Sequence, residues 1–231
     1  MQDIVLPRGY LSYSAMELWL RDKEGYRLRY YVGEDYFSTP YTEFGNKVGE
    51  ALEFRQWEDP VLAPVRGKIP QGTHPEHKLE VVINGVTMFG KLDDFDLQNY
   101  AIEEYKTGIR DAKGKAPWNK VAVRKHKQLT LYSLFVRTKY GIYNPNIRLT
   151  WMETAWGQVC KDITFGSKVI QDCNKNLYLT GHVETFWREI KDWELDRMAE
   201  IIRKTAEDIT EDYKQWQQKK PQPKKLPALP S

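Results

Sequence analysis

Cysteine is almost absent: Cys160 and Cys173 are the only two in 231 residues. Neither belongs to a Cys-x-x-Cys pair, so no zinc site and no iron–sulfur cluster is expected. The four histidines, His74, His77, His126 and His182, are too scattered to form a metal site of their own. An excess of charge of one sign is also lacking, since 35 Lys and Arg stand against 32 Asp and Glu for a net charge of +3, and this alone is weak evidence for a polyanionic partner. No apolar run reaches the length of a membrane span, and the opening MQDIVLPRGY lacks the apolar core of a signal peptide. An intracellular, cytoplasmic protein with no membrane partner is therefore expected. No internal repeat is apparent.

The chain does have enough material for one well-filled domain, with 41% hydrophobic residues. Aromatics are plentiful, with 8 Trp and 14 Tyr. Most belong in a core or at its margin, though some could offer flat faces to nucleic-acid bases.

Two carboxylates and a lysine fall on neighbouring predicted strands. Val86 to Phe95 reads as a strand ending Gly90-Lys91-Leu92-Asp93, and Asp96-Leu97-Gln98-Asn99 reads as a turn. Tyr100 to Thr107 returns as a strand carrying Glu104-Tyr105-Lys106-Thr107-Gly108. Side chains alternate along a strand, so Glu104 and Lys106 share one face and Glu103 and Tyr105 the other. Paired strands lie about 4.8 Å apart, which lets Asp93 sit beside Glu104. Mg²⁺ favours oxygen ligands and takes one or two carboxylates plus water and phosphate. Asp93 and Glu104 fit that demand, and the Tyr105 backbone carbonyl offers a further oxygen. Lys106 is placed to hold a water nucleophile or to stabilise charge at a phosphorus. The alternative reading is a solvated amphipathic hairpin with polar residues on one face.

Val121 to Tyr140 has the apolar spacing of one partly buried helix. Gln128 and Tyr132, four residues apart, lie on one face of it. Between Lys106 and Lys127 the chain carries Arg110, Lys113, Lys115, Lys120, Arg124 and Lys125 against the single acid Asp111. Arg110, Lys120, Arg124 and Lys127 are candidates for contact with a phosphate backbone, the alternative being a solvated loop.

Together these elements resemble the PD-(D/E)XK nuclease superfamily, in particular its RecB-like exonuclease branch, related to CRISPR-associated RecB-like and lambda-exonuclease-like enzymes. The shared features are Ser12-Tyr13-Ser14, Gly45, Gly90 to Asp93, Glu104 to Gly108 and Gln128 to Tyr132 in order, over roughly residues 10 to 210. The resemblance implies a restriction-endonuclease-like α/β fold with a mixed central sheet. It also implies metal-dependent hydrolysis of DNA, single-stranded or at duplex ends, with Mg²⁺ or Mn²⁺ as cofactor. Asp93, Glu104 and Lys106 would be catalytic, with Gln128 and Tyr132 positioning the substrate strand or a water. Recombination, repair or defence would be the setting. Two other readings remain: a nuclease fold that binds DNA with little or no turnover, and a restriction-type or CRISPR-adaptation endonuclease. One position departs from the pattern, because Gly49 stands where the family carries a ligating His or Glu. Glu50 or Glu53 could reach the metal instead.

Elsewhere, Ser12 or Ser14 caps a helix to about Asp22, a second helical segment spans Glu24 to Tyr31, and a longer helix spans Thr42 to Trp57. Asp59 to Pro75 reads as a loop, His77 to Ile83 as a strand, and Asn84-Gly85 as a tight hairpin turn. Ile147 to Trp156 and Val159 to Phe165 form a hairpin around Gly157 in this reading. Leu177 to Ile190 is a strand interrupted at Gly181, and Asp192 caps a long amphipathic helix to about Gln217. One domain over residues 1–218 is expected. Residues 219–231 form a proline-rich basic tail, expected to be disordered, through which a protein partner could dock.

Overall fold

A computed structural model describes residues 3–34, 38–165 and 168–219, without side chains at 159–174. The proline-rich tail lies outside the described residues.

Five strands form one mixed sheet in the order β1-β2-β3-β4-β5. They are β1 (His74–Ile83), β2 (Val86–Asp96), β3 (Ala101–Gly108), β4 (Asn146–Phe165) and β5 (Lys168–Arg188). All neighbours are antiparallel except β3 and β4, which run parallel. A parallel pair needs a crossover, and here it contains α4 (Lys120–Arg124) and α5 (Lys127–Tyr140). The other helices are α1 (Tyr13–Arg21), α2 (Lys23–Arg27), α3 (Pro40–Glu53) and α6 (Asp192–Lys219).

Helices cover both faces of the sheet. On one, α1, α5 and α6 bury Trp19, Phe135, Ile202 and Ile209 against Leu79, Met88, Leu92 and Ile102. On the other, Val48 and Leu52 of α3 pack with Leu62, Met152 and Leu179. Local signals explain the element boundaries. The Ser12 hydroxyl accepts the Ala15 amide at 3.3 Å, capping α1. Asn84 and Gly85 both take positive φ, 50° and 80°, as a two-residue hairpin turn of the favoured hand requires. Gly90 lets α5 approach β2, since a Cβ there would stand 2.5 Å from the Phe135 ring.

The N-terminal helices and α6 are strapped together. The Val5 amide donates to the Thr210 hydroxyl at 3.0 Å, the Trp19 indole to Asp208 at 2.8 Å, and the Tyr31 hydroxyl to Asp212 at 3.0 Å. Arg27 also pairs with Asp212, at 2.5 Å. The C-terminal helix thus closes over the N-terminal helices.

Four expectations are corrected. Val121 to Tyr140 is two helices, because His126 adopts an extended φ of −75° and ψ of 104° between them. Its carbonyl accepts from the Arg188 guanidinium, and its ring stacks on Tyr13 and tilts against Trp118. The segment after Glu24 passes from α2 into a π-helical turn at Leu28–Val32. The helix read from Thr42 to Trp57 starts at Pro40, behind the Thr39 cap, and stops at Glu53. Finally, β4 runs straight through Gly157, which pairs with Asn176, so the hairpin joins β4 to β5 instead. The interruption at Gly181 is present: the register shifts between Met152 and Thr154, opposite a glycine at φ 89°.

Candidate active site

The strands β2 and β3 are paired only from Asp94–Glu103 to Asp96–Ala101. Beyond that point they part, and the side chain of Asp93 fills the gap: its Oδ2 accepts the Tyr105 amide at 2.7 Å. A backbone donor that would otherwise be orphaned is thereby satisfied. A second irregularity sits at the same place. Leu92 and Phe95 both enter the α5-side core although three residues apart, so the facing alternation slips by one residue between them. Across from this slip, Glu76 of β1 takes a φ of 51°.

Glu104 is fully buried at the parting of the strands, and Asp93 is half-buried. Burial, and then the Asp93 charge, push the Glu104 carboxyl up to about 7. Burial likewise raises Asp93, with Lys106 and the Tyr105 amide opposing it. Lys106 is the ion partner of Glu104. Burial would lower its ammonium, but Glu104 and Asp93 together hold it above the ordinary lysine value. The two carboxylates thus favour the charged form of Lys106.

Gln128 and Tyr132 support that lysine. The Gln128 Oε1 accepts from Lys106 at 3.4 Å, its Nε2 donates to the Tyr132 hydroxyl at 2.8 Å, and that hydroxyl donates to the Lys91 carbonyl at 2.7 Å. The chain of bonds ties α5 to both motif strands and leaves the Tyr132 ring buried.

A cleft of about 800 Å³ opens beside these groups, between α3 and the sheet, lined by Glu76, Lys91, Asp93, Lys106 and Thr107. Gly49, Glu50 and Glu53 line its α3 wall. A Cβ added at Gly49 would meet nothing within 4 Å, so the helix leaves open space where a ligating side chain could stand. Glu50 is exposed and Glu53 half-buried. Tyr105 gives its amide to Asp93, while its hydroxyl donates to the Pro70 carbonyl at 2.7 Å.

Of the basic candidates, Arg110 lies over the Trp151 ring and is paired with Glu153. Lys127 stands 3.8 Å from Glu17 of α1. Lys120 and Arg124 lie exposed on α4. Sequence reasoning did not single out Glu76, Tyr13 or the Arg55–Asp94 pair, which meets at 2.7 Å. Glu76 reaches the cleft only through the β1–β2 register, and Arg55 reaches Asp94 from the end of α3. Tyr13 lay inside the Ser-x-Ser segment, and the charges of Glu17 and Glu104 add to the effect of burial in raising its hydroxyl.

Both carboxylate oxygens of Glu104 are buried; Oε1 meets the Lys106 ammonium, and Oε2 has no hydrogen-bond partner. Such oxygens suit a hard divalent cation, so the donor set fits Mg²⁺ or Mn²⁺ chemically. Among the described residues, no three His, Cys, Asp or Glu side chains are already gathered as a metal site.

No protein-family model matches the chain, and no curated protein matches it. Solved structures do. A candidate exonuclease from Eubacterium rectale superposes with a TM-score of 0.57 at 12% identity, over 90% of this chain and 82% of that one. The two chains share one fold. A phage-related exonuclease from Haemophilus somnus 129PT gives a TM-score of 0.47 at 12% identity, over 91% and 86%. Among the described residues, no helix is long and apolar enough to cross a membrane.

Proposed function

We propose that this protein is a metal-dependent nuclease that hydrolyses phosphodiester bonds in DNA. The observation that carries the reading is the parting of β2 and β3, where Asp93 and Lys106 line an open cleft and the buried Glu104 pairs with Lys106 behind them. Asp93, Glu104 and the Tyr105 carbonyl would hold Mg²⁺ or Mn²⁺, with Glu50 a further candidate from α3. When bound, such a cation lowers the pKa of a coordinated water and stabilises charge on the phosphate oxygens. Lys106, kept protonated by its two carboxylate neighbours, hydrogen-bonds the attacking water or a phosphate oxygen. The P–O bond to the leaving sugar oxygen breaks as the water oxygen bonds to phosphorus; the proton the water gives up passes to solvent, and the leaving oxygen takes one up to become a hydroxyl. Gln128 and Tyr132 hold Lys106 in place. Lys113, Lys115, Lys120, Arg124 and Lys127 supply the cationic approach for the DNA backbone.

We infer an exonuclease or end-processing role, with recombination, repair or defence as its setting. A cleavage time course with Mg²⁺ or Mn²⁺ on end-labelled linear and closed circular DNA tests this. Degradation of the linear form alone supports end-dependence, nicking of the circle points to an endonuclease, and no cleavage of either overturns the reading. A second reading, DNA binding without turnover, has one observation in its favour: the empty wall at Gly49. Binding without metal-dependent cleavage would select it.

A further inference from the structure

Glu76 stands on β1 between the residues paired with Asp94 and Leu92, and so directly across from Asp93. It makes no regular ladder pair there. Its φ of 51° is a left-handed conformation that non-glycine residues adopt at a cost, and such positions cluster at functional sites. The side chain is only 15% exposed, and its Oε2 is buried against a single cation. Its ion partner is the Lys91 ammonium, and both residues line the cleft beside Asp93. On the opposite wall, Gly49 has no side chain to offer and open space in front of it.

We propose that Glu76 is the third carboxylate of the metal site, supplying from the sheet the ligand that α3 lacks at Gly49. The proposal rests on the reading of Asp93 and Glu104 as metal ligands. Lys91 is then a resident counter-ion. In the cation-free protein it neutralises Glu76, and a divalent ion entering between Glu76 and Asp93 releases it towards the cleft. The charges agree with this exchange. With Lys91 swung out, the three proposed ligands are three negative charges beside the one positive charge of Lys106, and Glu50 and Glu53 on the far wall add to the demand for a cation. Glu76 suits the role better than Glu50, which is exposed on the far wall.

Mn²⁺ binding to the full chain, followed by the paramagnetic resonance signal of the free ion, tests this without any cleavage. Glu76→Gln should weaken binding about tenfold or more, the scale on which even outer-shell partners act. Lys91→Met should tighten binding in the wild-type background and leave it unchanged beside Glu76→Gln. Gly49→His should restore part of the affinity lost in Glu76→Gln. If Asp93→Asn loses binding while Glu76→Gln matches wild type, Glu76 is no ligand and the Asp93–Glu104 site stands. If wild type binds no Mn²⁺, both readings fall. Should Glu76→Gln fail to fold, Lys91→Met decides alone, and an unchanged affinity overturns the proposal.

Discussion

Glu103 and Glu104 are adjacent, both fully buried, and each is ion-paired through its Oε1. Their surroundings differ completely. Glu103 lies inside the paired sheet, opposite Asp94 on one side and Arg148 on the other, and Arg148 is its ion partner beneath the Trp187 ring. Glu104 lies where the β2–β3 ladder has ended, with Lys106 as partner and a cleft beyond. A guanidinium stays charged in any protein environment and presents a fixed fork, which suits a closed structural pair. An ammonium is a compact charge on a flexible stem and can leave room for an incoming cation. The same residue type, one position apart, is closed inside the sheet in one case and stands at its parting in the other.

The comparison breaks first on stability. Glu103→Ala strands the Arg148 guanidinium and should cost about 3–5 kcal/mol in denaturant unfolding, as removing half of a buried pair does. If the loss is below about 1 kcal/mol, the pair behaves as a surface one and the contrast collapses. Next comes chemistry. Asp93→Ala or Glu104→Ala should lower the cleavage rate by about 10²-fold or more while the fold is retained. A near-normal rate in either variant removes the assigned site.

The third test uses pH. The folded Glu104 carboxyl titrates near 7 against an ordinary value of 4.5. Between those values the folded state binds more protons than the unfolded state, so stability falls as pH rises through this window. The cation-free protein should therefore be less stable at pH 7 than at pH 5, and Glu104→Gln should flatten that trend. Equal slopes for wild type and variant would show that Glu104 ionises as freely as an exposed carboxylate. The smallest effect concerns the basic segment. Replacing Lys120, Arg124 and Lys127 with Ala should weaken DNA binding alike for all sequences. It should also make the log–log salt slope shallower by up to about 0.9 per lost duplex contact. Arg110→Ala should change the slope less, because Glu153 already matches its charge. An unchanged slope in the triple variant means the DNA path runs elsewhere.

Much of the sheet was legible because its signals are local. Asn84-Gly85 announces its own turn, and the hairpin from Val86 to Thr107 follows from alternation and spacing. What sequence reasoning missed depends on distant partners. The break at His126 is tied to Arg188, 62 residues further on. Glu76 lines the cleft through strand register and a backbone twist that no local pattern predicts. Gly157 looked like a turn, yet it lies flat beneath the Tyr178 ring, where a Cβ would come within 2.8 Å. A glycine chosen for close approach reads, in sequence, like one chosen for a bend.

The strap between Val5 and Thr210 spans a sequence separation of 205 residues. Loop-closure entropy grows slowly with length, so the finished protein bears little extra penalty for it. Assembly is another matter. A chain made from its N-terminus has α1 and α2 long before α6, and until then Trp19, Tyr26 and Tyr31 lack the surface that covers them. High sequence separation slows folding, and apolar surface left uncovered meanwhile favours aggregation. During its own synthesis this protein spends most of its time with its first helices waiting for its last.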